Sequence, residues 1–217
     1  MGTERWTGVL GLALAVSVIG GIVFETMGPN LSMTPDEMFK SFKSANTDVL
    51  IATALLVVQK VVLVAFAVGL SNLVARSGRD GLLANLILVA ATLQVAITMV
   101  YVATYAAVAS AIGQLTVPVV FGISTVGAAM DVAGDPFLGL MIAAAARGLA
   151  RSGLSAQWTG RLGEIAGGLL LISTISLLAP QNFFLMLPLL LAVLLTIVWL
   201  AAASIALLRG RTPAIAT

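Results

Sequence analysis

The chain has 217 residues, 60 % of them hydrophobic and only 9 % charged, with a mean hydropathy of +1.11. A soluble domain of this length cannot cover so much apolar surface, so composition alone predicts one membrane-embedded domain over residues 1–217. The net charge is only +2, and cysteine and histidine are absent, which argues against disulfides, thiol catalysis, thiolate or imidazole metal sites and the usual general base.

Six apolar runs reach the roughly 20 residues needed to cross about 30 Å of hydrocarbon. The expected fold class is therefore all-α, a polytopic bundle of about six transmembrane helices. The spans are placed at 7–27, 48–75, 81–112, 117–146, 162–179 and 183–208.

The first run follows Arg5 and resembles a signal peptide. It has no small-x-small cleavage site before Met27, and Glu25 lies where one would fall, so it is read as a retained helix. Glu25, inside the apolar run, is a candidate functional acid.

The outer loop 28–47 follows. Thr34-Pro-Asp-Glu carries a helix start, with a Thr cap, Pro at the first position and Glu at the third. Met38, Phe39 and Phe42 recur at helical spacing beside Lys40 and Lys43. A short amphipathic helix is expected, lying on the outer membrane surface or capping the bundle.

Asp48 caps the second span, which carries Lys60 near its middle. The third holds Gln94, Tyr101 and Tyr105, and the fourth Phe121, Asp131 and Asp135. At 1.5 Å per residue, Lys60 and Asp131 lie about 18–21 Å below the outer ends of their helices, near the midplane, with Gln94 at comparable depth. A charge there costs roughly 2.5–3.5 kcal/mol on insertion scales, so these residues are where function is first sought. A Lys60–Asp131 pair beside Gln94 would satisfy all three groups, as structural glue or as a working site.

Asp131 and Asp135 are four residues apart and share a helix face. Two neighbouring carboxylates in a dry site seldom both ionise, and a protonated carboxylic acid is a competent general acid. Pro136 follows at once, and a kink or break of the helix is expected there.

In the fifth span Glu164 is expected to pair with Arg161. Trp6 and Trp158 fit an aromatic belt, and Trp199 falls within the last span. Small residues at Gly20-Gly21, Gly127-Ala-Ala, 143–146 and Gly163-x-x-x-Gly167-Gly168 read as helix-packing positions.

With the N-terminus inside, the inner connections carry Arg5, Arg76, Arg79, Arg147, Arg151, Arg161, Arg209 and Arg211, against only Lys40 and Lys43 outside. This bias predicts cytoplasmic termini in a multi-pass membrane protein. The arginines sit at segment ends, so no nucleic-acid partner is expected. The expected partners are the lipid bilayer and a hydrophobic small molecule, with no metal and no cofactor.

Phe137-Leu-Gly-Leu-Met, then Gly148-Leu-Ala-Arg-Ser-Gly-Leu and Gly160-Arg-Leu-Gly-Glu-Ile-Ala-Gly-Gly, resemble the fourth-to-fifth helix region of a broad family of uncharacterised bacterial six-helix membrane proteins. Trp6-Thr-Gly-Val-Leu-Gly-Leu resembles their first helix. In size, topology and intramembrane acids the chain is also similar to small bacterial integral-membrane terpene cyclases. That similarity implies protonation of an isoprenoid-type substrate, with Asp131 as donor, and Asp135 or Lys60 tuning it. Tyr101, Tyr105 and Phe121 would stabilise cationic intermediates on their ring faces. Lys60 and Gln94 complete the expected substrate site, with Glu25 a further acid. The alternative is a non-enzymatic small transporter or an accessory membrane subunit.

Overall fold

The computed structural model describes residues 2–27, 33–77, 80–178 and 183–210. Among them the regular structure is all helical: α1 (Thr3–Met27), α2 (Pro35–Ser44), α3 (Asn46–Arg76), α4 (Gly81–Ala111), α5 (Val117–Arg151), α6 (Gln157–Ser173) and α7 (Phe183–Arg209). Tighter 3₁₀ turns extend α4 through Ile112–Gln114 and α6 through Thr174–Leu178.

Five helical stretches are long and apolar enough to cross a membrane, one each in α3 to α7, the α4 and α6 stretches running on into their 3₁₀ turns. Six spans were expected. The sixth, expected at 7–27, coincides with α1, which is 25 residues long and whose side chains beyond residue 21 lie outside the described residues, among which the five were found. The bundle is nonetheless built from six long helices, and the chain has the character of a multi-pass membrane protein. Val16, Val58, Val61, Val89 and Leu194 are each more than half exposed, an apolar exterior that suits lipid and not water.

Each long helix packs against the next, and α1 closes the set by lying between α3 and α7. The order α1–α3–α4–α5–α6–α7 is therefore a ring of antiparallel neighbours joined by short connections. Gly8 and Gly11 of α1 lie against Leu208 and Ser204 of α7, and Gly69 of α3 lies against Thr7 of α1. Between α3 and α4, the Ser71 hydroxyl donates to the carbonyl of Ala84 at 2.9 Å.

The tightest approach joins α5 to α6. A Cβ on Gly167 would strike the carbonyl oxygen of Gly139, and one on Gly139 would strike that of Gly167. No other residue allows this contact, which in a bilayer replaces the hydrophobic effect as the association force. The turn between these helices needs glycine for another reason. Gly153 sits at φ 66°, its N–H donating to Ala150 and that of Leu154 to Leu149, the hydrogen-bond pattern of a Schellman cap.

Three packing expectations need correction. Nothing lies within 4 Å of a Cβ built on Gly20, Gly21 or Gly168, so these glycines face outward. Glu164 lies 3.7 Å from Arg147 of α5 rather than pairing with Arg161, because the glycine contact draws the two helices together. And α5 continues as helix through Pro136, so of the kink or break expected there no break occurs.

α2 forms as its sequence requires. The backbone N–H and hydroxyl of Thr34 both donate to Glu37 Oε2 at 2.8 Å, and the Glu37 N–H returns to Thr34 Oγ1 at 3.4 Å. These bonds hold the Glu37 carboxyl below the usual carboxylate range. Met38 and Phe42, both fully buried, pack on Val49, Tyr105, Val108, Ala109, Ile112 and Val120. Of the two placements open in the sequence, α2 takes the second and caps the bundle over α3, α4 and α5.

Candidate functional site

Two separate apolar cores fill the ring. The larger gathers Leu63, Phe66, Leu70, Ile87, Met141, Ile142, Leu149, Trp199 and Leu207 with their neighbours, in the half towards the arginine-rich end. The smaller lies under α2 at the capped end. Between them in helix register, along α3 to α6, lies a layer of the polar residues Lys60, Gln94, Thr98, Asp131, Asp135 and Ser173, while Ser124 lies one turn from Val120 at the level of the capped-end core.

Most of the residues singled out in the sequence converge on this layer or its rim. Asp131 and Lys60 lie within electrostatic reach of one another. The Ser71–Ala84 bond fixes the register of α3 on α4, and Gly134, whose Cβ would meet Thr98, fixes that of α5 on α4. These registers place Lys60 on the arginine-end side of both aspartates. A lysine on a helix leans towards the helix N-terminus, here back towards the carboxylates.

Asp135 Oδ2 lies 3.4 Å from the hydroxyl of Ser173, where α6 tightens into its 3₁₀ turn. That hydroxyl also donates to the carbonyl of Leu170 at 2.7 Å, the shorter contact and the natural place for its single proton. Asp135 in its acid form can donate to the same oxygen. Pro136 adds a further polar group, because it has no N–H to return to the carbonyl of Val132.

Gln94 is 3 % exposed, and its Oε1 has no hydrogen-bond partner among the described residues; neither has the hydroxyl of Ser124. Buried acceptors without partners cost roughly 1–3 kcal/mol each and tend to mark places where something else binds.

Tyr101, Tyr105 and Phe121 belong to the capped-end core. The two tyrosine rings lie 4.4 Å apart, and Phe42 of α2 lies 5.3 Å from Tyr105. Gly127, one turn before Asp131, sits beneath Tyr105, so these aromatics roof the polar layer. The side chain of Glu25, together with Arg79 and Arg211, lies outside the described residues.

Lys60, Asp131 and Asp135 are only partly buried, although protein surrounds the Asp131 carboxyl on most sides. Two cavities open elsewhere, at the arginine-rich end, with volumes of about 630 and 290 Å³, and none of the three lines either.

Ser173, Thr98 and Ser124 were missed in the sequence. A signal was present for two of them: Ser124 is seven residues before Asp131, and Thr98 is four after Gln94, so each shares a helix face with a residue already noted. No family model, curated protein or solved structure matches this chain.

Proposed function

We propose that the polar layer is an acid–base site serving a hydrophobic substrate that enters from the bilayer, and that the protein is a membrane enzyme of terpene-cyclase type. The observation that carries this reading is the placement of Asp131. It is only partly buried on a membrane-length helix and lines neither of the cavities at the arginine-rich end. A molecule reaching it comes sideways from lipid, which selects an apolar chain.

In this scheme the Asp131 carboxylic acid donates its proton to a carbon–carbon double bond of an isoprenoid-type chain. The π electrons form the new C–H bond and leave a tertiary cation. A second double bond attacks the cation and closes a ring, and loss of a proton from a neighbouring carbon restores neutrality. The product is an isomer of the substrate. Asp135 and Lys60 set the charge around the acid, and Tyr101, Tyr105 and Phe121 face the developing cation.

The test is turnover of prenyl lipids by the protein in vesicles, read as ring-containing products of unchanged mass. Asp131→Asn keeps size and polarity but removes the transferable proton. It should lower turnover by at least about 100-fold, within the range of general acid catalysis, in protein that still elutes as a folded species and still binds the prenyl chain. Wild-type rates in Asp131→Asn would eliminate Asp131 as the acid. A wild-type protein inert towards prenyl chains would favour the second reading, a small transporter or accessory subunit whose half-buried charges are covered by a neighbouring helix.

A further inference from the structure

We propose that the cavity of about 630 Å³ at the arginine-rich end, between α1, α3 and the α5–α6 turn, binds the phosphate of an anionic phospholipid headgroup. Its polar wall is formed by Thr3, Arg5, Arg76, Ser77 and Ser152. Arg76 Nη1 reaches across from α3 to the Thr3 hydroxyl of α1 at 3.4 Å, so its guanidinium links two walls of the cavity.

Among the described residues neither Arg5 nor Arg76 forms an ion pair, whereas in the smaller cavity Arg151 is held by Asp80 at 2.8 Å and Arg147 by Glu164 at 3.7 Å, which leaves only Arg161 of its three arginines without a carboxylate. The larger cavity therefore presents uncommitted cationic forks, the geometry that suits phosphate oxygens. The first turn of α1 opens here as well, adding backbone N–H groups and the positive end of its dipole. Glu4 also lines the cavity and leaves a modest net positive charge, matched to a singly charged phosphodiester.

The position favours a lipid over a free ion. The cavity lies at the ends of membrane-length helices, where headgroups sit. Leu73 and Leu154 form its apolar wall, and Trp6, 56 % exposed, stands beside it in the place of an interfacial anchor. Free phosphate would use the arginines but not these apolar neighbours.

Native mass spectrometry of the detergent-purified chain tests the proposal, with phosphatidylglycerol, phosphatidylcholine and inorganic phosphate as probes. Phosphatidylglycerol should remain bound in preference to phosphatidylcholine, and millimolar inorganic phosphate should fail to displace it. Arg5→Gln and Arg76→Gln should each weaken retention by about fivefold, the effect of one basic residue near an anionic surface, while Arg147→Gln leaves it unchanged. Wild-type protein should also melt at a higher temperature with phosphatidylglycerol than with phosphatidylcholine, a readout independent of any variant. Equal binding of the two lipids, displacement by inorganic phosphate, or equal losses in all three variants would overturn the assignment. The first excludes charge recognition, the second a lipid, and the third this particular cavity.

Discussion

Lys60 carries a large energetic consequence for a single side chain. It lies at bilayer depth, and Asp131 of α5 lies within its electrostatic reach. Removing one member of such a pair leaves the other charge uncompensated, a loss of typically about 3–5 kcal/mol, whereas removing both is often close to neutral. Lys60→Met is therefore expected to lower thermal stability sharply in detergent or vesicles. Lys60→Met combined with Asp131→Leu should recover most of it. A double variant no more stable than the single one would show that the two charges do not support each other. The residue pair was legible in the sequence because both interrupt long apolar runs. Ser173 and its contact with Asp135 were not, because one serine at the end of a hydrophobic helix carries no sign of which helix it faces.

At the scale of elements, the contact between α5 and α6 depends on two glycines meeting backbone to backbone. Gly167→Leu would drive a side chain into the carbonyl of Gly139 and the methyl of Ala143. Overpacking of this kind costs about 1–3 kcal/mol where neighbours can move, and here the obstacle is main chain. Loss of the folded, monodisperse species on size exclusion is the expected outcome. Gly168→Leu, one residue further on, meets nothing within 4 Å and should behave as wild type. Equal behaviour of the two variants would contradict the packing. In the sequence the adjacent glycines are indistinguishable, because a helical register separates them by about 100° and only the neighbouring helix says which one faces inward. α2 is the opposite case, since Thr34, Glu37, Met38 and Phe42 encode both its start and its buried face within ten residues.

At the scale of the whole molecule, the ring places the described parts of Arg5, Arg76, Arg147, Arg151, Arg161 and Arg209 at one end and α2 at the other. The charge bias then predicts that the arginine-rich end faces the cytoplasm. The chain has no cysteine, so single cysteines report its topology without background. Lys43→Cys on α2 should react with a membrane-impermeant thiol reagent added to intact cells, and Gln157→Cys at the start of α6 should react only after lysis. The reverse pattern would invert the topology. It would leave the fold and the polar layer unchanged, because both depend on helix order and not on the side from which the helices enter.

The sequence by itself determined which segments become helices and some of their ends, though α5 runs five residues past the expected 146 and α6 begins five before the expected 162. The span expected at 183–208 is observed as Phe183–Arg209, and that at 48–75 as Asn46–Arg76. Length and hydropathy suffice there, because backbone polar groups in lipid must be satisfied within the segment. Only the tertiary structure decided which face of each helix turns inward. It paired Glu164 with Arg147, left Gly20, Gly21 and Gly168 outside, buried Trp199 completely and separated two apolar cores by a polar layer. The physical reason is that lipid tails are as apolar as leucine. Hydrophobicity drives a helix into the bilayer without orienting it, and orientation comes from small-residue contacts and polar matches between helices that are distant in sequence.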